Sequence, residues 1–259
     1  MDALPDKLPG MRPFLPFALA VGLCLTACTS TPATDAPAPD LRLETNAPIV
    51  AGFVIVDGVY GTELTAPWDV FQHTQGHAPY GMQVVTVAQT AEAVSTYEGL
   101  RLLPDHTFAS CPPLDVLVVP SAQHSMTTDL ENRALIDFVA ERGAEAGYVV
   151  SLCDGAFVLA ESGLLDGRQA TTFPGDLEPF SRRYGARLAE VVQGVSFVHH
   201  DQVITSVGGA PSFDAALYLC ELLYGKTAAK GVAKGLVIDW DLERLGHRVV
   251  PPASGESGE

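Results

Sequence analysis

Cys153 stands where a chain equipped for nucleophilic chemistry would place its reactive atom. It follows the apolar run Tyr148-Val149-Val150-Ser151-Leu152 and precedes Asp154-Gly155-Ala156-Phe157-Val158-Leu159-Ala160. A short strand, a sharp turn and a helix in that order make a nucleophile elbow, which lifts a side chain above the edge of a sheet. Free backbone N–H groups and the helix dipole at such a turn stabilise negative charge, so the position favours a thiolate. The same run also suits a structural cysteine buried in a core. An ionised Asp154 beside the sulfur works against the thiolate.

The remaining composition narrows the chemistry. Cys111, Cys153 and Cys220 are far apart, there is no Cys-x-x-Cys and no histidine pair at ligand spacing, so no metal centre is expected. His199 and His200 are adjacent, and on a strand they would point to opposite faces. A net charge of −16 argues against a nucleic-acid partner, which needs a basic face.

Ahead of the domain the sequence reads as an export signal. Residues 14–25 form an apolar run too short for a comfortable membrane span, preceded by Arg12 and followed by a stretch rich in Thr, Pro, Ala and Ser. The block Leu25-Thr26-Ala27-Cys28 resembles a bacterial lipobox, which makes Cys28 the expected lipidated N-terminus and places the protein at the bacterial cell envelope, on its periplasmic or extracellular face. Asp2 and Asp6 are unusual in such a leader, so Met11 is the expected initiator. Residues 29–47 read as a disordered tether, and residues 241–259 as a C-terminal tail.

Positioning Cys153 requires a sheet, and the chain from 48 to 240 supplies one. Apolar runs at Ile49–Val56, Met82–Ala88, Asp115–Pro120 and Tyr148–Leu152 alternate with helical patterns at Glu63–His73, Asp129–Arg142 and after Cys153. Thr128 or Asp129 is the expected cap of the second helix. Val94–Leu103 reads as extended and partly exposed. Further elements are expected at Gln169–Thr172, Pro174–Tyr184, Val195–Val198, Val203–Ser206, Phe213–Leu223 with Ser212 as N-cap, and Thr227–Leu236. The alternation implies an α/β fold with a mostly parallel sheet, whose ligands bind at the carboxyl ends of strands. The loop before Glu63, the Pro120–Met126 loop and Cys153 all fall at such ends.

The run Val150–Arg168 with Ala170-Thr171-Thr172 resembles the ThiJ/PfpI family of the class I glutamine amidotransferase-like superfamily. Glu63-Leu64-Thr65-Ala66-Pro67-Trp68-Asp69-Val70-Phe71, Asp115–Pro120, Val203–Ser206 and Asp214–Tyr218 extend the resemblance over residues 48–240. It is nearest to the isonitrile hydratase branch and to the amidase-like sensor domains of transcription regulators. It implies a flavodoxin-like sandwich, often dimeric, with Cys153 as nucleophile, Glu63 as the carboxyl beside it and no cofactor. A carboxyl so near a thiolate must hold a proton, or two charges would repel.

Three departures from the family pattern matter. Asp154 follows the cysteine where many relatives carry histidine. Phe173 follows Thr171-Thr172 where many carry another histidine. The third strand runs into Ser121-Ala122-Gln123-His124-Ser125-Met126 in place of a glycine pair. His124 is therefore a candidate general base or substrate-orienting group. Backbone amides around Ser121, Ala122, Asp154 and Gly155 are candidate oxyanion donors, and the Asp154 carboxylate is expected to cap the following helix. Trp68 and Tyr60 read as packing residues, and Gly208-Gly209 as a backbone turn.

The expected function is a cysteine-dependent hydratase or hydrolase acting on a small electrophile: an isonitrile, an amide or a 2-oxoaldehyde. A ligand-binding or redox-sensing lipoprotein that reads out the oxidation of Cys153 is the alternative.

Overall fold

The computed structural model describes residue 43 and residues 46–251. The leader, Cys28, most of the tether and the last eight residues lie outside the described residues. Twelve strands occur among the described residues: β1 Val50–Val54, β2 Gln83–Ala88, β3 Val94–Ser95, β4 Arg101–Leu102, β5 His106–Thr107, β6 Val116–Val119, β7 Tyr148–Leu152, β8 Gln169–Ala170, β9 Glu190–Val191, β10 Phe197–His200, β11 Val203–Ser206 and β12 His247–Val250. Six α-helices accompany them: α1 Gly61–His73, α2 Arg133–Glu145, α3 Gly155–Glu161, α4 Leu177–Tyr184, α5 Ser212–Tyr224 and α6 Lys226–Gly235.

Eight strands form one sheet in the order β12-β10-β11-β7-β6-β1-β2-β5. Every neighbouring pair is parallel except β10–β11. The buried strands are continuous apolar runs because both faces of the sheet are covered. One face carries α1, α5 and α6 over Phe53, Phe71, Tyr148, Phe197 and Leu217. The other carries α2, α3 and α4 over Leu117, Val139, Phe157, Leu159 and Phe180. This is the expected flavodoxin-like sandwich. After β2 and β5 the chain returns to the opposite side of β1 and lays down β6. The β1–β6 border is thus a topological switch point, where the loops leaving the two strands part and open a crevice.

Several boundaries differ from the sequence reading, each for a local reason. The turn at Thr128–Leu130 is a separate 3₁₀ segment, and α2 starts five residues later than Thr128. Its cap is Asn132, whose side chain accepts a hydrogen bond from the Leu135 N–H at 3.3 Å. Ser212 is the first residue of α5 and not its cap; Pro211 precedes it with fixed φ. Val94–Leu103 folds into the antiparallel β3–β4 hairpin. His199 and His200 lie within β10, not in a connecting loop. His199 points into the core, where its Nδ1 lies 2.7 Å from the Tyr218 hydroxyl, and His200 Nδ1 accepts the Gln169 N–H at 2.8 Å on the other face. The domain does not stop at residue 240, because β12 pairs with β10 from Phe197↔His247 to His200↔Val250. Cys111 belongs to the core on the α2 side and Cys220 to the core on the α5 side, so the sheet separates them and they cannot pair.

Candidate active site

The registers Phe53↔Val118, Val119↔Ser151 and Leu152↔Ser206 bring the carboxyl ends of β1, β6, β7 and β11 abreast. The chain leaves β7 through Cys153, whose φ of +52° is a left-handed conformation that a non-glycine residue adopts at a cost of about 1–3 kcal/mol. The elbow expected at this position is therefore present and strained. It is held from below: the Cys153 N–H donates to the Ser206 carbonyl at 2.9 Å, and the Thr172 hydroxyl donates to the Cys153 carbonyl at 3.0 Å.

Two glycines let the elbow pack this tightly. A Cβ on Gly155 would sit 2.1 Å from the Val119 carbonyl oxygen, so only glycine lets α3 start directly against β6. A Cβ on Gly208 would lie 2.3 Å from the Cys153 Cβ and 2.8 Å from Glu63 Oε1. The backbone leaving β11 is thus wedged against the nucleophile and its carboxyl neighbour at once.

Glu63, in the first turn of α1, is only 5% exposed. Its Oε2 accepts the Ser121 N–H at 3.1 Å and the Ser121 hydroxyl at 2.5 Å, and its Oε1 accepts the Gly209 N–H at 3.3 Å. These contacts tie the Glu63 carboxyl to the loop leaving β6 and to the turn after β11. Burial pushes the Cys153 thiol well above its ordinary range, and the charges of Glu63 and Asp154 push it further. Hydrogen bonds from the Ser121 hydroxyl and the Asp154 N–H only partly offset this. Burial and the two neighbouring carboxyls thus work against a thiolate at Cys153, and the Ser121 hydroxyl and the Asp154 N–H work for it.

Asp154 departs from expectation. Its carboxyl makes no cap to α3. Instead its Oδ1 accepts the Thr172 hydroxyl at 3.0 Å, and its side chain hydrogen-bonds Asp176. Burial, followed by the Asp176 charge, raises its pKa to about 7. The usual carboxyl value of 3.8 applies to the unfolded chain, so folding favours the protonated form. The sign follows: between pH 4 and 7 the unfolded chain loses this proton while the fold holds it, and stability falls as pH rises through that window. Asp154→Asn should therefore raise Tm by about 5 °C at pH 8 and by clearly less at pH 5.5. Equal shifts at the two pH values in thermal melts would show that the carboxyl is not held protonated.

The other expected site residues divide. Ser121 is fully buried and belongs to the site, but its N–H and hydroxyl serve Glu63. The Ala122 N–H donates to the Ser125 hydroxyl at 2.8 Å and is not free to bind an oxyanion. Gly155 makes room for β6. His124 is exposed and acts electrostatically on Asp129; it is not among the groups that act on Cys153. The amide remaining at the sulfur is that of Asp154. Trp68 packs on Phe53 with ring centroids 5.3 Å apart, as a packing residue should.

Sequence reasoning missed three participants. Asp176 lies 22 residues beyond Asp154 and no spacing rule links the two. The Gly209 N–H is a backbone donor, invisible in side-chain types. Tyr60, at the N-cap of α1, has its phenol pKa raised by burial first, then by Tyr97 and, more weakly, by Cys153, Glu63 and Asp154. Its place three residues before Glu63 was the available signal. Among the described residues no group of three or more His, Cys, Asp or Glu is placed to hold a metal ion.

The family model of the DJ-1/PfpI family matches residues 50–221, which hold the elbow, Glu63 and the Ser121 loop. The chain belongs to the DJ-1/PfpI family. It is 32% identical to an isonitrile hydratase of Pseudomonas putida over 181 residues, 69% of this chain and 74% of that protein. The crystal structure of Drosophila melanogaster DJ-1beta superposes with a TM-score of 0.64 at 23% identity, covering 74% of this chain and all of the other. A ThiJ/PfpI family protein from Pseudomonas syringae does so at 0.65 and 23%, covering 86% and 82%. The DJ-1/PfpI fold of these neighbours accounts for the sheet and its flanking helices.

Proposed function

We propose that this protein is a cysteine-dependent hydratase that adds water to an isonitrile, giving an N-substituted formamide. The observation that carries this reading is the juxtaposition of a buried, strained Cys153 with a carboxylate, Glu63, fixed by three donors. The identity to the Pseudomonas putida isonitrile hydratase supports the choice of substrate.

The chemistry balances with these groups. As the isonitrile enters, Glu63 takes the thiol proton and the sulfur bonds to the terminal carbon. Glu63 returns the proton to that carbon, leaving a thioimidate on Cys153. Water then adds to the thioimidate carbon, giving a proton to Glu63, which passes that same proton to the substrate nitrogen. The Asp154 N–H stabilises the charge that develops beside the sulfur. Collapse of the tetrahedral adduct breaks the carbon–sulfur bond, releases the formamide and sends the proton of the new hydroxyl, through Glu63, to the departing sulfur. Water is the only co-reactant and no redox step occurs.

The lipobox-like block at Leu25–Cys28 supports, as part of the same proposal, action at the envelope on a small molecule arriving from outside.

The experiment is direct. Native protein incubated with methyl, cyclohexyl and phenyl isonitriles should release the matching formamides, measured by chromatography, and Cys153→Ala should release none above the uncatalysed rate. Formamide production surviving in Cys153→Ala, or absent from the native protein for all three, would refute the proposal.

A further inference from the structure

The β3–β4 hairpin has no part in the chemistry above, yet it is fastened to the loop that carries the site. The Gly58 N–H donates to the Ser95 carbonyl at 2.8 Å and the Tyr97 N–H to the Val59 carbonyl at 2.9 Å. Two side chains add to this: Asp57 Oδ1 accepts the Ser95 N–H at 2.9 Å, and Glu98 Oε2 accepts the Gly61 N–H at 2.9 Å. These four ties fix the tip of the hairpin over the start of α1. They set the Tyr97 ring on the Tyr60 ring, centroids 4.8 Å apart and planes 39° apart.

Tyr97 is 57% exposed and Leu100, on the same tip, 59%. The Tyr97 ring is thus held at the backbone while more than half of its surface stays open to solvent. Tyr60 beneath it caps the helix that carries Glu63, and its N–H donates at 3.1 Å to the carbonyl of Ser121, whose hydroxyl meets Glu63. The ring pair is thus fixed to the two segments that hold Glu63, the start of α1 and the Ser121 loop. Pockets for small molecules combine such aromatic walls with a few convergent polar groups.

We propose that Tyr60 and Tyr97 form a subsite for a flat, apolar substituent, an aryl group, on the electrophile that Cys153 attacks. The inference rests on the reading of Cys153 as nucleophile and goes beyond it by naming the substrate class. The charges of the site select against the alternatives. The groups at the sulfur are carboxyls, Glu63, Asp154 and, behind Asp154, Asp176, with no cationic side chain among them, so an anionic substituent finds no counter-ion. Glu63 is satisfied by Ser121 and Gly209, and Asp154 by Thr172 and Asp176, so neither offers an open partner to a cation. The tyrosine faces are what remains, and they favour stacking or edge-to-face contact with another ring.

The test uses alkylation, which needs no turnover. Native protein is treated separately with iodoacetamide, N-phenyliodoacetamide and a trimethylammonium-bearing iodoacetamide. Labelling of the Cys153 peptide is followed by mass spectrometry, and each rate is divided by that probe's rate with glutathione. N-phenyliodoacetamide should be favoured over iodoacetamide by about tenfold. Tyr97→Ala, an exposed change whose fold is checked by circular dichroism, should bring the two ratios together, and Tyr97→Phe should keep them apart. Equal ratios in the native protein, a preference that survives in Tyr97→Ala, a faster cationic probe, or no labelling of Cys153 at all would overturn the subsite. A preserved phenyl preference in a protein that hydrates no isonitrile would sink the hydratase reading and leave the subsite standing.

Discussion

Glu63→Gln should lower the turnover of an isonitrile by about 10²–10⁴-fold, the range a positioned general base supplies. The loss is expected in kcat more than in KM, because Glu63 is buried behind the sulfur and acts on its proton. The amide keeps the shape of the carboxyl group and can still accept from the Ser121 hydroxyl, so the fold should survive. What the variant lacks is the group that takes the proton from a thiol pushed up by burial. The Glu63 charge also raises that thiol, so its removal should make Cys153 easier to ionise as the same variant loses turnover. A higher rate of thiol labelling with a lower rate of turnover separates loss of the base from general damage. If both rates fell together, the site would have collapsed and the assigned role would not stand.

Gly208→Ala should be strongly destabilising. The new methyl would meet the Cys153 Cβ at 2.3 Å and the Cys153 backbone nitrogen at 2.8 Å, and the backbone sits at φ +78°. Overpacking costs about 1–3 kcal/mol and a left-handed alanine about 1–2 kcal/mol. For a domain of this size the sum corresponds to a Tm lower by roughly 10 °C. Gly209→Ala is the matched control. Its φ is +58°, but a Cβ there meets nothing within 4 Å, so only the conformational cost of about 1–2 kcal/mol applies. Melting curves of the two variants should differ by several degrees; equal losses would mean that the contact with Cys153 is not what requires glycine at 208.

These two glycines also show where sequence reasoning stops. Gly208-Gly209 was legible as a turn, because only glycine takes two successive positive φ values cheaply. That one of them wedges the nucleophile and the other donates to Glu63 depends on β11 lying beside β7, a long-range pairing with no local signal. The apolar runs and the elbow were legible because period and turn chemistry are local. β12 was not, since four residues of mixed polarity at a sheet edge look like a tail. His124 was drawn into the site by its place in a strand-end loop, but the Thr127 and Asp129 N–H groups both donate to its carbonyl, and the turn they close leaves its side chain in solvent. Asp154 was read as a cap because position favours one. The Thr172 hydroxyl and Asp176 compete for that carboxyl, and both come from distant parts of the chain.

The central claim is covalent catalysis by Cys153, and it can be read from a single peptide. Native protein mixed with phenyl isonitrile is quenched in acid within the first turnover, digested and analysed by mass spectrometry. The account predicts that the peptide containing Cys153 gains the mass of one isonitrile, that the adduct decays as formamide appears, and that the peptides of Cys111 and Cys220 are unchanged. Formamide produced at the native rate with Cys153 replaced by alanine, and with no adduct on any cysteine, would contradict it.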